Sequence, residues 1–289
     1  MDGWQRDTNS YMNVLVFDIE TIPDVDAGRR LYKLGNLPDQ DVAKVMFHKR
    51  REQTGDSDFL RHHLHRVVAI SVVLRRDVQG STSAAGGRKP GAAAESSLAV
   101  WSLGELASDE ADLIRRFYDG IEKYTPTLVS WNGSGFDLPV LHYRALRHGI
   151  DAARYWETGA NDQSFRWNNY LSRFHERHTD LMDVLSAYQP RATAPLDDIA
   201  VLLGLPGKMG HSGAEVWDQF QQGKLEDIRN YCETDVLNTY LVYLRYELMR
   251  GHLDAAGLKR EEMLVRDMLK SANKSHLNAF LAAWPVRAA

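Results

Sequence analysis

Apolar residues along this chain fall into short dense runs separated by longer periodic stretches. Val14–Phe17, Val67–Leu74, Leu98–Leu103 and Thr127–Trp131 are largely apolar, of strand length, and bounded by polar or Gly- and Pro-containing segments, the pattern of buried strands. Helical spacing takes over between them. Ser108, Asp109 and Glu110 form a capped, acidic start for a helix whose apolar face is Leu113, Ile114, Phe117 and Ile121. Further helices are expected from Asp137 to about Gly149, from Leu196 to Leu203, and from Leu225 to Met249, where Gly251 follows as a stop. The order strand, strand, strand, helix, strand is a meander feeding a crossover, which predicts a mixed sheet in an α/β fold.

Several segments interrupt this scheme. Residues 26–66 are polar with scattered apolar positions and predict short helices in an excursion from the sheet. Within it, Lys44–Arg66 gathers many basic residues and reads either as a phosphate-contacting arm or as a solvated helix face. Its histidines lack a metal-ligand spacing. Residues 79–97, rich in Gly, Ser and Ala, are expected to form a flexible hairpin tip. The stretch 150–178 is irregular and aromatic-rich; its rings fill a small core of their own or, less in keeping with their irregular spacing, line a single-strand channel. His178–Asp183 resembles another strand end, with Asp180 and Asp183 as supporting or capping acids. The loop Gly204–Gly213 offers Lys208 and His211 as phosphate contacts or is a plain connection.

The chain's 289 residues suffice for one large domain with insertions or two small ones. With 35 basic and 39 acidic residues, the formal charge of −4 argues against a broadly basic nucleic-acid binder, so any polyanion must be held by a local patch or by bound metal. The single cysteine, Cys232, excludes an internal disulfide and a thiolate metal cluster. No run is long and apolar enough to span a bilayer, and Met1–Asn13 lacks a basic-then-apolar leader, so a cytoplasmic protein without membrane contact is expected.

Chemistry concentrates at three places. The first strand ends in Asp18-Ile19-Glu20-Thr21, and the period of two puts both carboxylates on one face. Like charges so close need an offsetting partner, and a hard divalent cation suits carboxylate oxygens. After the fourth strand, Asn132-Gly133-Ser134-Gly135-Phe136-Asp137 makes a tight turn that delivers a third carboxylate, or else a helix-capping acid. Phe136 there is either a packed ring or a stacking surface for a base. In the last long helix, Tyr231 and Asp235 lie four residues apart on one face, where a hydroxyl beside a carboxylate can orient a water.

Asp18-x-Glu20-Thr21, Asn132-x-x-x-Phe136-Asp137 and Tyr231-x-x-x-Asp235, in this order, resemble the DEDD superfamily of 3′-5′ exonucleases. The tyrosine places the resemblance in the DEDDy branch, which includes polymerase proofreading domains and RNase D. The opening FDIETIPD and the second motif WNGSGFDLPVL are most similar to predicted stand-alone exonucleases related to the proofreading domain of B-family DNA polymerases. The resemblance covers roughly residues 13–250, with 1–12 as a lead-in, 79–97 as an insertion and 251–289 as a helical tail.

This resemblance implies an RNase H-like fold, a five-stranded mixed sheet flanked by helices, and hydrolysis assisted by two divalent ions, Mg²⁺ or Mn²⁺. Asp18, Glu20 and Asp235 would hold the ion that activates water. Asp18 would bridge to the second, with Asp137 reaching it directly or through water. Tyr231 would orient the attacking water, and Thr21, Asn132 and Phe136 would hold the terminal nucleotide. The implied substrate is the 3′ end of single-stranded DNA or RNA, DNA favoured, releasing nucleoside 5′-monophosphates, with replication or repair proteins as partners. An RNase D-like RNA-processing role is the alternative within the branch, although no appended RNA-binding module is visible. A non-catalytic nucleic-acid-binding protein is the alternative outside it, and crowded carboxylates beside phosphates speak against that. A polymerase is not expected, because too few residues follow Gly251.

Overall fold

The computed structural model describes residues 13–78, 95–210 and 213–285. The lead-in at 1–12, the Gly/Ser/Ala segment 79–94 and His211 lie outside them. Strand β1 (Val14–Pro23) is central in a sheet with β2 (His65–Val78), β3 (Glu95–Ser102), β4 (Thr127–Ser130) and β5 (His178–Asp180), in the order β3-β2-β1-β4-β5. The first three form an antiparallel meander, and β4 and β5 continue beyond β1 in parallel. Both β2 and β3 extend past their apolar runs because ladder hydrogen bonds use the backbone whatever the side chains are. This five-stranded mixed sheet between helical layers is the RNase H-like architecture.

The excursion after β1 is a pair of helices, α1 (Val25–Tyr32) and α2 (Asp39–Thr54), closed over Val42, Met46, Leu60 and Leu64. Along α2, Lys44 pairs with Asp41 at 3.1 Å, Lys49 with Glu52 at 2.9 Å and Arg51 with Asp58 at 3.1 Å. Lys44, Lys49 and Arg51 are thus paired with acids of the same segment, whereas Arg50 donates to the Phe59 carbonyl.

One face of the sheet carries α3 (Glu110–Tyr124), α4 (Asp137–His148) and α5 (Ala153–Trp156). Leu15, Phe17 and Ile19 of β1 pack there against Ile114 and Phe117 of α3 and Leu138 and Leu141 of α4. The irregular stretch adds Tyr155, Phe165 and Tyr170 to this core, with the rings of Tyr155 and Tyr170 stacked at 5.6 Å and Arg177 lying over Phe165. These aromatics fill a core rather than line a channel.

After β5 come the short helices α6 (Leu181–Leu185), α7 (Leu196–Leu202) and α8 (Val216–Gln221), then α9 (Leu225–Met249), α10 (Ala255–Ala272) and α11 (Ser275–Ala283). On the second face, Val16 and Val129 meet Val236, Leu237 and Tyr240 of α9, and Val265, Leu269, Leu277 and Phe280 join the same cluster. The residues after Gly251 thus belong to the main core. Among the described residues, no helix is long and apolar enough to cross a membrane.

Candidate active site

The alternation of β1 decides where the acids go. Leu15, Phe17 and Ile19 face α3 and α4, so Asp18 and Glu20 face α9, where the Cys232 thiol lies 3.5 Å from Asp18 Oδ2. The pairing with β2 slips by one residue between Glu20 and Thr21, a bulge directly after the two acids.

The turn after β4 brings the third carboxylate. Asn132 sits in the left-handed region, φ 61°, and a Cβ on Gly133 would run into the Ser130 side chain. Asp180, at the end of β5, accepts the Asn132 and Ser134 amides at 2.9 and 2.8 Å and also caps α6. Asp137 then opens α4, and its Oδ1 accepts the Ile19 amide at 3.1 Å. It is therefore more than a cap of its own helix, because it ties α4 to the strand between Asp18 and Glu20.

From α9 come Tyr231, Cys232 and Asp235, all buried. The Tyr231 hydroxyl hydrogen-bonds the Asp235 carboxylate one turn on. Burial and the surrounding carboxylates push the Tyr231 pKa further up, so the hydroxyl keeps its proton. Since it donates that proton to Asp235, its oxygen lone pairs remain available to accept from a ligand.

The electrostatics are those of crowded, desolvated acids. Burial, then Asp137, Glu20 and Asp235, raise the Asp18 pKa well above the usual carboxylate range. Glu20 is raised likewise by burial, Asp235 and Asp137, with Lys208 opposing. Asp137 is pushed up to about 7, chiefly by burial. The Cys232 thiol is held protonated by burial and by Asp18 and Glu20, and it donates to Asp18.

Ligand atoms of Asp18, Glu20 and Cys232 lie within 4.8 Å of one another. With the sulfur protonated, the donor set is all oxygen, which fits a hard divalent cation. Asp18 and Glu20 thus offer closely spaced oxygen donors for such an ion, while Asp137 and Asp235 lie outside this tightest group.

Lys208 comes from the loop after α7. Buried Asn238 of α9 holds that loop, donating from Nδ2 to the Gly207 carbonyl at 3.0 Å and accepting the Gly207 amide at 3.3 Å. The Lys208 amide also donates to Asp197 at 2.6 Å. The loop is therefore pinned, and its lysine acts on Glu20. An Asn inside a long helix gave no sequence signal for this role.

Thr21 and Phe136 meet through His65. Its Nε2 lies 3.1 Å from the Leu60 carbonyl, which can only accept, so Nδ1 accepts from the Thr21 hydroxyl at 2.8 Å. Phe136 meets the His65 ring edge-on at 5.1 Å. Thr21 and Phe136 thus stand together beside the acids, whereas the Asn132 side chain folds against Gly135 within its own turn.

A family model described as predicted 3′-5′ exonuclease related to the exonuclease domain of PolB matches residues 57–284. The chain belongs to this family. The matched part of the chain carries Asp137, Tyr231 and Asp235, while Asp18 and Glu20 precede it and reach the others through the Ile19–Asp137 bond. A DNA polymerase of Archaeoglobus fulgidus is 26% identical over 158 residues, 54% of this chain and 20% of that one. The catalytic chain of DNA polymerase epsilon from Saccharomyces cerevisiae is 25% identical over 146 residues, 48% of this chain and 6% of that one. The chain thus spans a fifth or less of these relatives. The solved family B DNA polymerase of Pyrobaculum calidifontis overlays 98% of this chain and 28% of its own, with 17% identity and a TM-score of 0.43.

Proposed function

We propose that this chain is a DEDDy-type, metal-dependent 3′-5′ exonuclease that removes nucleoside 5′-monophosphates from the 3′ end of single-stranded nucleic acid, DNA in preference to RNA. The observation that carries the reading is the convergence of Asp18, Glu20, Asp137 and Asp235 from three separate elements, with Ile19 bonded to Asp137 at 3.1 Å. Buried carboxylates that raise one another's pKa are a cost to a fold unless a cation and a phosphate come to them. The polymerase relatives support DNA as substrate, and replication or repair proteins are the partners the reading favours.

The four carboxylates would hold two divalent ions, Mg²⁺ or Mn²⁺. Bound there, the ions supply charge neutralisation at the scissile phosphate and a lowered pKa for the attacking water. The chain's own groups do the rest. Water adds to phosphorus, the bond to the departing 3′ oxygen breaks, that oxygen takes up a proton, and the water's proton leaves to solvent. Tyr231, its own proton committed to Asp235, accepts a hydrogen bond from the incoming water and sets its direction. Lys208 faces the cluster with a positive charge on a pinned loop and meets the phosphate. Thr21 and Phe136 hold the terminal nucleotide, and Asn132 shapes the turn beneath it.

The test is degradation of 5′-labelled single-stranded DNA and RNA in Mg²⁺, Mn²⁺ or EDTA, comparing the wild type with Asp18→Ala. A ladder shortening from the 3′ end, dependent on metal and lost in the variant, is the expected result. Intact strands with a folded wild type would return the chain to the non-catalytic reading.

A further inference from the structure

Beside the carboxylates, on the Thr21 side of β1, lies an aromatic cluster that hydrolysis itself does not require. Around the Phe136 ring stand His65 at 5.1 Å, His62 at 5.8 Å and Phe59 at 5.3 Å. All three come from the stretch that follows α2. This stretch is fastened to the site at two points. His62 Nε2 donates to the Gly135 carbonyl at 2.8 Å, in the turn that delivers Asp137, and His65 holds Thr21. Burial lowers the His65 pKa to about 4, so that link stays neutral near physiological pH. At the outer end Phe59 is 54% exposed. An exposed phenylalanine alone is ordinary, but this ring is positioned by rings on its inner side and open on its outer one.

We propose that Phe59, backed by Phe136, is a stacking wall for the base of the 3′-terminal nucleotide, so that the excursion built by α1 and α2 forms one side of the substrate cleft. The proposal rests on the exonuclease reading. An enzyme that shortens a strand step by step must take whichever base arrives next. Ring stacking meets that need because every base has a π face, whereas hydrogen bonds to base edges would discriminate. Phe136 adjoins Asp137 in the chain, so the wall begins one residue from a carboxylate of the site. Phe59 extends it outward by a ring.

The test uses a single strand carrying 2-aminopurine at its 3′ end, titrated in EDTA so that no cleavage intervenes. Wild type should quench the probe; Phe59→Ala should abolish the quench and weaken binding about tenfold or more, and Phe59→Tyr should restore both. With an abasic 3′ end, wild type and Phe59→Ala should bind alike. An unchanged quench in Phe59→Ala, or equal losses on natural and abasic ends, would overturn the wall. Cleavage in Mn²⁺ separates the two claims. A wild type that stacks the probe without cutting keeps the wall and rejects the nuclease, and one that cuts with the same KM in Phe59→Ala rejects the wall alone.

Discussion

Asn238 grips both backbone polar atoms of Gly207, and it does so from the helix that carries Asp235, three residues earlier. The loop presenting Lys208 is therefore fixed to the same rigid element as part of the acid cluster. In Asn238→Ala two buried backbone groups lose their partner, which should cost about 1–3 kcal/mol of stability. Turnover on single-stranded DNA should fall by roughly a further tenfold at temperatures where the variant is fully folded, the scale of a lost charge-assisted contact. Melting and initial rates measured side by side check this; a lower melting point with unchanged turnover would mean that the loop's position does not matter.

The Asp137 carboxyl, raised to about 7 from an ordinary 3.8, binds a proton more tightly folded than unfolded. Its contribution is therefore favourable at low pH and is lost as pH rises from about 4 to about 7. Buried His65, His142 and His178, each lowered to about 4, work in the opposite direction over part of that range. They are common to wild type and Asp137→Asn, so they drop out of the difference between the two, which carries the carboxyl together with its repulsion of Asp18 and Glu20. In metal-free buffer the variant should gain on wild type as pH rises to 7 and level off above it, while divalent metal should favour wild type. Thermal melts at several pH values decide, and a difference that ignores pH would sink the prediction.

Tyr231→Phe removes a hydroxyl that bonds Asp235 and leaves the ring in its buried place. If the group orients water, as proposed, and does not grip the strand, kcat should fall about tenfold to a hundredfold with KM nearly unchanged. Steady-state kinetics with matched Mn²⁺ would show it. A rise in KM alone would instead assign the tyrosine to substrate binding.

Phe280 is fully buried in the cluster that also holds Val16 and Val129. Phe280→Ala should therefore cost about 3–5 kcal/mol although it lies far along the chain from every acid. Denaturant titration would measure the loss. A cost below ~1 kcal/mol would make the last two helices an appendage after all.

The period-two alternation of β1 made Asp18 and Glu20 readable as a pair before any coordinates, and the Tyr231–Asp235 spacing did the same on α9, because both rest on local geometry. The succession of strands and helices along the chain and the tight turn before Asp137 followed from apolar runs and glycines. Contacts made across long sequence separations were beyond reach. Nothing local marks Asn238 as the clasp of a loop 31 residues away, or Cys232 as a donor to Asp18 214 residues away. Asp180 could be named as a supporting acid, but its grip on Asn132 and Ser134 depended on β5 lying beside β4. The basic run along α2 left a phosphate arm and a solvated face both open, because charge is visible in a sequence and ion pairing is not.

The bond from Ile19 to Asp137 spans 118 residues, and Cys232 reaches Asp18 across 214. During synthesis Asp18 and Glu20 emerge before Asp137, and the set of four carboxylates is incomplete until α9 brings Asp235. Until then the nascent chain holds only part of its carboxylate cluster, and under the proposed function a partly made molecule would leave nucleic acid nearby intact. The proposed activity would arrive in one late step, together with the α9 side of the core.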